Sequence, residues 1–262
     1  MRVYNIKTGG SKTMFLDKII ALRNDRTIYR NGGYCLKVFE KNISKAKVFT
    51  EAFNQTQAQC AGVNVPSITQ IAQVDGKWAI IYDFIEGKSL AEKMNLAKEE
   101  TEPCLEKLVE LQVKLHEPKK TDLPDLKDKL KKDIEKAELR QELKDELLKM
   151  LRNLPDGEGI FHGCFSPDNI ILGDDGTDYI IDWTHAAQGS IYADAAGTYL
   201  TLMLEEENEA ATEYLKIFSV KTQSDIKLVR KWLPVISASK LSYTNERERK
   251  LLTPWLETIY FE

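Results

Sequence analysis

The sequence has few of the features that mark membrane, secreted or nucleic-acid-binding proteins. Its 262 residues contain no apolar run long enough to span a membrane, and its first residues lack the apolar core of a signal peptide. The chain has 37 basic and 41 acidic residues, and the basic residues form no block, so we do not expect a nucleic-acid partner. Without a long apolar run, we do not expect a membrane partner either. The four cysteines show no metal-binding spacing and are interpreted as reduced thiols of a cytoplasmic protein.

Apolar periodicity predicts an α+β chain with a strand-rich first part and a helical second part. A single helix, over residues 44–61, interrupts the early strands. Residues 119–149 mix charges of both signs with leucines and isoleucines, which predicts a helical pair with one buried face. The predicted strands cover 18–22, 27–30, 34–39 and 77–84, and the later helices cover 105–116, 123–154, 192–206, 210–217, 224–233 and 246–260.

Two polar residues flank a predicted hairpin in the second half of the chain. Apolar, β-prone runs at 170–172 and 179–181 are joined by a turn at 173–176, with Asn169 just before the hairpin and Asp182 just after it. Because a hairpin brings its two ends together, both oxygen-bearing side chains could bind one Mg²⁺. A surface hairpin with incidental polar ends is the alternative interpretation.

These residues belong to a longer pattern that resembles a known family. His162-Gly163-Cys164, the following Asn169, and then Ile181-Asp182-Trp183 resemble the signature of the aminoglycoside phosphotransferase and choline kinase family, relatives of protein kinases. The resemblance extends over almost the whole chain. It implies a protein-kinase-like bilobal fold, with a small antiparallel-sheet N-lobe at residues 1–84, a hinge at 85–90, and a mainly helical C-lobe at 91–262.

The resemblance also implies roles for several residues at an ATP and Mg²⁺ site. Lys37 resembles the strand lysine that pairs with the α and β phosphates, and Glu51 resembles its helical partner. An edge-strand lysine and a solvated helix glutamate are the structural alternatives. Adenine is expected to bind the backbone near Asp83 and Ile85, while Asp194 resembles the aspartate that braces the catalytic loop. Asn169 and Asp182 are the expected Mg²⁺ ligands.

The chain departs from the family at two places. Cys164 stands where the family has the aspartate that accepts the proton of the attacking hydroxyl. The loop at residues 23–27 has no glycine, although relatives commonly use small residues there so that the backbone approaches the phosphates. Arg26, within this loop, is a candidate phosphate contact.

Two functions therefore remain open. One is an ATP-dependent phosphotransferase acting on a hydroxyl of a small molecule, with Cys164 beside the acceptor. The resemblance favours such an enzyme, with an activity weakened by the cysteine at position 164. The other is a catalytically impaired pseudokinase that binds nucleotide and acts as a sensor or scaffold. The acidic residues at 205–207 and Glu209 would favour a cationic acceptor, although a charge run at a helix end is more often only solvated. An aminoglycoside, choline and another small alcohol all remain open, as does the oligomeric state. Aromatic residues that could help bind an amine, or simply pack in the core, are Trp183, Tyr192, Trp232, Tyr243 and Trp255.

Overall fold

The computed structural model describes residues 3–7, 12–15, 18–23 and 25–257, which divide into two compact units. The first unit contains the described residues up to Lys88 together with Ile171–Thr184, and the second contains Ser89–Ile170 and the described residues from His185 onward. The first is strand-rich and the second helical, so the predicted α+β class is confirmed. Within the described ranges, no helix is long and apolar enough to cross a membrane.

A seven-stranded sheet forms most of the first unit. Its strands are β1 (Val3–Lys7), β2 (Lys12–Phe15), β3 (Lys18–Leu22), β4 (Arg26–Asn31), β5 (Tyr34–Phe39), β6 (Ile68–Val74) and β7 (Lys77–Asp83). They follow the order β2-β1-β6-β7-β5-β4-β3, with antiparallel neighbours throughout. The predictions for β3, β4, β5 and β7 are confirmed. The sequence pattern missed β6 because polar Thr and Gln residues interrupt its apolar positions, so only pairing with β7 reveals it.

One face of this sheet carries the helix α1 (Lys45–Cys60), close to its predicted position. Ser44 caps the helix by accepting a hydrogen bond from the Lys47 amide at 3.3 Å. Val48 of α1 packs with Phe39 of β5 in one buried cluster. Since side chains alternate along a strand, Lys37 shares the face of Phe39 and is directed towards α1. The opposite face is covered by a second cluster comprising Leu36, Val38, Ala72, Val74, Ala79 and Ile81.

The predicted hairpin is present and gains a third strand. The remaining strands are β8 (Gly87–Ser89), β9 (Gly159–Phe161), β10 (Ile170–Gly173), β11 (Asp178–Ile180) and β12 (Ala187–Gly189), arranged as the sheets β11-β10-β8 and β12-β9. A Cβ atom on Gly87 would lie 2.2 Å from the Leu172 carbonyl oxygen, so β8 can approach β10 only with glycine there. The Asp174 amide donates to the Glu86 carbonyl at 2.8 Å. These backbone contacts join the hairpin to the first unit, although the sequence-based boundaries had assigned it to residues 91–262.

The second unit consists mainly of helices. They are α2 (Leu90–Met94), α3 (Thr101–Leu115), α4 (Leu126–Lys136), α5 (Gln141–Asn153), α6 (Ile191–Leu204), α7 (Asn208–Thr222), α8 (Ile226–Arg230), α9 (Leu233–Lys240) and α10 (Glu246–Glu257). The charged segment is confirmed as the pair α4 and α5, which buries residues such as Leu130 and Leu147 on one face. Sequence periodicity missed α9 because all of its residues are buried, so it has no polar face. The prediction for the last helix ran to residue 260, but 258–260 lie outside the described residues.

Candidate active site

A buried ion pair joins the sheet of the first unit to α1. Lys37 lies in the middle of β5 and Glu51 lies in α1, with only 4% and 3% of their surfaces exposed. The Lys37 Nζ atom donates to Glu51 Oε1. Because a buried charge is stable only when it is paired, Lys37 and Glu51 can both stay charged only together. This burial rules out both structural alternatives, an edge-strand lysine and a solvated glutamate.

Asp182, which follows β11, completes this cluster. Its Oδ1 lies 3.0 Å from Lys37 Nζ and 2.7 Å from Thr184 Oγ1, while its Oδ2 lies 2.5 Å from Arg26 Nη2. Burial opposes the ionisation of Asp182, but the charges of Lys37 and Arg26 and the Thr184 hydrogen bond outweigh it and lower its pKa. Asp182 is therefore an ionised carboxylate at neutral pH, the form that binds a metal ion.

The backbone at Asp182 is in an unusual conformation that its neighbours hold in place. Its φ of +66° is in the left-handed region, which residues other than glycine seldom adopt. Asn54 of α1 donates to the Trp183 carbonyl at 3.0 Å, and the fully buried Trp183 ring donates through Nε1 to the Ile180 carbonyl at 3.1 Å. Such strain persists only where the surrounding structure fixes it, and it concentrates at functional sites.

Arg26, the first residue of β4, forms a further link to Asp182. Its Nη1 atom lies 3.1 Å from both carboxylate oxygens of Asp25, which leaves Nη2 directed at Asp182. Burial lowers the pKa of Arg26, but the charges of Asp182, Asp25 and Glu51 offset this and raise it. Arg26 was predicted only as a phosphate contact, and this ion pair was not predicted. Asn24, in the same glycine-free loop, lies outside the described residues.

The predicted adenine-binding backbone lies at the end of β7. The Asp83 amide donates to the Ser67 carbonyl at 3.0 Å, and the Phe84 amide donates to the Gly33 carbonyl at 2.9 Å. An N–H group that is already bonded within the chain is not available to a ligand. The Asp83 and Phe84 amides are therefore not available to a base at this position.

In the second unit, Asp194 holds the backbone of the segment that follows β9. Its Oδ1 accepts hydrogen bonds from the amides of His162 at 3.0 Å and Gly163 at 2.9 Å, which confirms the predicted bracing role. Gly163 has a φ of +83°, and a Cβ atom there would lie 2.7 Å from the Cβ of His185. Ser190 caps α6 and accepts from the Tyr192 amide at 3.3 Å, so Asp194 stands in the first turn of that helix.

The other oxygen of Asp194 is held by residues that the sequence did not reveal. His116 Nε2 lies 3.1 Å from Asp194 Oδ2, and Gln112 Nε2 donates to the same atom at 3.0 Å. The Tyr214 hydroxyl in turn donates to Gln112 Oε1. Burial opposes ionisation of Asp194, but the His116 and Gln112 hydrogen bonds and the nearby histidines lower its pKa. Gln112 and His116 lie about 80 positions before Asp194, and no local pattern connects them.

Cys164 and Asn169 lie close together in the same unit. Asn169 ends the short 3-10 turn Pro167–Asn169, and its Nδ2 donates to the Cys164 carbonyl at 2.8 Å. The Cys164 amide lies 3.3 Å from His162 Nδ1, which acts as the acceptor, and the side chain of Cys164 is half-buried. The amide nitrogen of Asn169 is thus used within the loop, whereas its oxygen is the atom suited to a cation.

The predicted metal ligands are divided between the units, with Asn169 in the second and Asp182 in the first. Among the described residues, no group of three or more His, Cys, Asp or Glu could hold a metal by itself. Each of the two residues offers an oxygen atom of the kind that Mg²⁺ prefers as a ligand.

The residues suggested for acceptor binding have mixed environments. Glu206, from the acidic cluster, forms an exposed ion pair with Arg247. Trp183 and Trp232 are fully buried and belong to the core. Tyr243 is 44% exposed and stacks on His185 with ring centroids 4.2 Å apart, which makes it the better placed aromatic residue to contact a solute.

The sequence profile of the phosphotransferase enzyme family matches residues 20–225. No curated protein matches the sequence significantly.

Solved structures resemble this chain in fold. A choline/ethanolamine kinase family protein from Mesorhizobium loti has a TM-score of 0.60 at 14% identity, covering 94% of this chain and 87% of that one. A thermostable mutant of aminoglycoside phosphotransferase APH(4)-Ia, in a ternary complex with ADP and hygromycin B, has a TM-score of 0.66 at 14% identity, covering 92% of both chains. Choline kinase LicA from Streptococcus pneumoniae has a TM-score of 0.61 at 14% identity with the same coverage. The predicted protein-kinase-like fold is therefore confirmed.

Proposed function

The chain belongs to the phosphotransferase enzyme family, and we propose that it transfers the γ-phosphoryl group of ATP to a hydroxyl of a small molecule. The observation that carries this proposal is the buried cluster of Lys37, Glu51 and Asp182 in the first unit. Phosphoryl transfer relies on positioned charges more than on covalent chemistry. A lysine fixed between two carboxylates, with its ammonium group oriented by both, is suited to hold the α and β phosphates.

We assign Mg²⁺ binding to Asn169 and Asp182. The lowered pKa of Asp182 keeps it charged, and the Cys164 carbonyl orients the amide of Asn169. When bound, Mg²⁺ would neutralise charge on the β and γ phosphates. For adenine, we propose the Asp83 carbonyl and the backbone of Ile85, because the Asp83 amide already donates to Ser67.

Cys164 determines how much activity we expect. The reaction breaks the bond between the γ-phosphorus and the bridging oxygen, forms a bond from the acceptor oxygen, and requires the hydroxyl proton to leave. Loss of a positioned general base typically lowers the rate by about 10² to 10⁴. We expect a loss near the lower limit, since proton transfer is late when the transition state is loose. A slow phosphotransferase is the result.

Cys164 also favours a second candidate, a pseudokinase that binds nucleotide without turnover. The buried network of Lys37, Glu51 and Asp182 would serve both functions, since each needs bound nucleotide. Only turnover distinguishes them.

For the acceptor, we propose a small alcohol that is preferably cationic. The support is the exposed ring of Tyr243 and the acidic cluster at 205–207, of which Glu206 is already paired with Arg247. We also propose a cytoplasmic location, on the basis of the cysteine pattern of the sequence.

Nucleotide binding is tested by thermal unfolding of the parent protein with and without Mg-ATP. Ligand that binds only the native state at 100 times its Kd stabilises it by about 2.7 kcal/mol, which is readily visible as a rise in Tm. Asp182→Asn keeps the side-chain shape but removes the charge, and it should abolish most of the Mg-dependent part of the rise. An unchanged Tm in the parent protein would contradict both candidate functions.

Turnover is tested by comparing the parent protein with Cys164→Asp on aminoglycosides and amino alcohols. Cys164→Ser is the matched control, because it keeps the size and adds no base. Phosphorylated product from the parent protein supports the phosphotransferase. Product from Cys164→Asp alone supports the pseudokinase, and product from neither, despite Mg-ATP binding, removes these acceptors from consideration.

A further inference from the structure

Arg26 lies where a metal ion would have to approach Asp182. Its Nη2 is 2.5 Å from Asp182 Oδ2, and its side chain is only 16% exposed. Asp182 Oδ1 already faces both Lys37 Nζ and Thr184 Oγ1. Oδ2 is therefore the less crowded oxygen, and it is the atom that the guanidinium contacts.

Mg²⁺ and Arg26 make incompatible demands on this oxygen. Mg²⁺ binds its ligands at about 2.0–2.1 Å with near-octahedral geometry, which leaves little room for a second cation on the same atom. A guanidinium and a divalent ion that share one carboxylate oxygen also repel each other, and the low exposure of the site weakens screening by water. Inner-sphere binding of Mg²⁺ at Oδ2 thus requires Arg26 to move.

Arg26 also has an unused donor. Its Nε atom is buried and has no hydrogen-bond partner within the described part of the chain, so its present environment satisfies only part of the guanidinium. A planar guanidinium with several donors matches phosphate oxygens well. The loop at residues 23–27 has no glycine, and Arg26 supplies a cationic side chain there.

We propose that Arg26 is a resident counter-ion of Asp182 that transfers to the phosphates when nucleotide binds and thereby admits Mg²⁺. This inference rests on the proposed nucleotide binding, and it adds that nucleotide must bind before Mg²⁺ can reach Asp182. Arg26 competes with Mg²⁺ for Asp182 when phosphate is absent, and it holds phosphate when metal is absent. Nucleotide and metal are then coupled through one side chain.

The experiment measures ADP binding by calorimetry in EDTA, and Mg²⁺ binding without nucleotide, for the parent protein and for Arg26→Ala. We expect the variant to bind ADP about tenfold more weakly in EDTA, because one charge-assisted phosphate contact is lost. We also expect the half-saturating Mg²⁺ concentration of the nucleotide-free variant to fall several-fold, since the cation that competes for Asp182 in the absence of phosphate is gone. The two effects have opposite signs, which a general structural defect would not produce.

Two further variants provide controls. Arg26→Gln retains polar donors without the charge and should reproduce the shift in Mg²⁺ requirement even if alanine destabilises the fold. Lys77→Ala removes another bidentate ion pair of the first unit, between Lys77 and Glu40 at 2.7 Å, and should change neither quantity. An unchanged half-saturating Mg²⁺ concentration in both nucleotide-free Arg26 variants, while the parent protein binds ADP, overturns the inference alone. Absence of ADP binding by the parent protein in every buffer overturns the proposed function as well.

Discussion

Replacing Asp194 should strongly destabilise the second unit. The side chain is fully buried and accepts hydrogen bonds from two backbone amides at 2.9 and 3.0 Å, from Gln112 at 3.0 Å, and from His116 at 3.1 Å. Asp194→Ala removes the acceptor that these four groups share, although the Gln112 amide keeps its second hydrogen bond to Thr198 Oγ1 at 3.0 Å. A single unsatisfied buried group costs about 1–3 kcal/mol, but these penalties are not additive since the cavity admits some relaxation. We expect a total loss of about 3–5 kcal/mol, the usual result of breaking a buried charged network.

The isosteric variant Asp194→Asn separates shape from charge. Its oxygen can still accept from the two amides, but its NH₂ group must face the donor nitrogen of Gln112, so we expect a smaller loss of about 1–3 kcal/mol. Asp225→Ala is the matched control, because Asp225 is an exposed cap of α8 that accepts one backbone hydrogen bond at 2.8 Å. Removing such a cap costs about 0.5–2 kcal/mol.

Urea unfolding followed by circular dichroism gives these free energies, and amide hydrogen exchange locates the effect. Exchange at His162 and Gly163 should accelerate in Asp194→Ala, because Asp194 is the acceptor for both amides. An alanine variant that loses less than about 1 kcal/mol, with unchanged exchange at these amides, would refute the bracing role.

Three other predictions concern backbone strain, pH and thiol reactivity. Gly163→Ala should lower the free energy of unfolding in urea by about 2–4 kcal/mol. Gly176→Ala, with a similar φ of +81° but open space around its Cβ position, should lower it by only about 1 kcal/mol. Equal losses in the two variants would contradict the crowding at Gly163. Burial opposes ionisation of Asp182, but its cationic neighbours lower its pKa below the unfolded value near 3.9, so its stabilisation should be complete above about pH 5 and decline as pH falls towards the native pKa. In Asp182→Asn, the free energy of unfolding should therefore fall less steeply with decreasing pH between about pH 6 and 2.5. The same pH dependence in the variant and the parent protein would contradict the lowered pKa of Asp182. Burial raises the pKa of Cys35 to about 11, so at pH 8 iodoacetamide should modify the exposed Cys60 first, as mass spectrometry of peptides can determine; equal rates would be inconsistent with the buried thiol.

The fold was predictable from the sequence to a large extent because its elements carry strong local signals. The strand around Lys37 is an apolar, β-prone run broken only by the lysine, and the helix around Glu51 begins after a serine cap. Elements without such signals were missed. The helix α9 is buried on all sides, and β6 depends on its pairing with β7, so neither has the alternation that identifies a half-buried element.

Part of the candidate site was also predictable, but its electrostatic organisation was not. Lys37, Glu51 and Asp182 were expected at a nucleotide site, and the structure brings all of them into one ion network. The contact between Arg26 and Asp182 spans 156 positions in the sequence. A pairing over that distance depends on how sheet and hairpin pack, and no local pattern encodes it.

The sequence by itself determined the α+β class, the likeness to small-molecule kinases, and the replacement of the expected catalytic aspartate by Cys164. These properties depend on which residues occur and how they are spaced, and both are visible in the sequence itself. Only the tertiary structure decided that Asp182 is held by two cations in a strained conformation, and that Asp194 accepts hydrogen bonds on both oxygens. Burial and charge pairing arise when distant segments exclude water together, so their energies belong to the folded protein and not to any stretch of its chain.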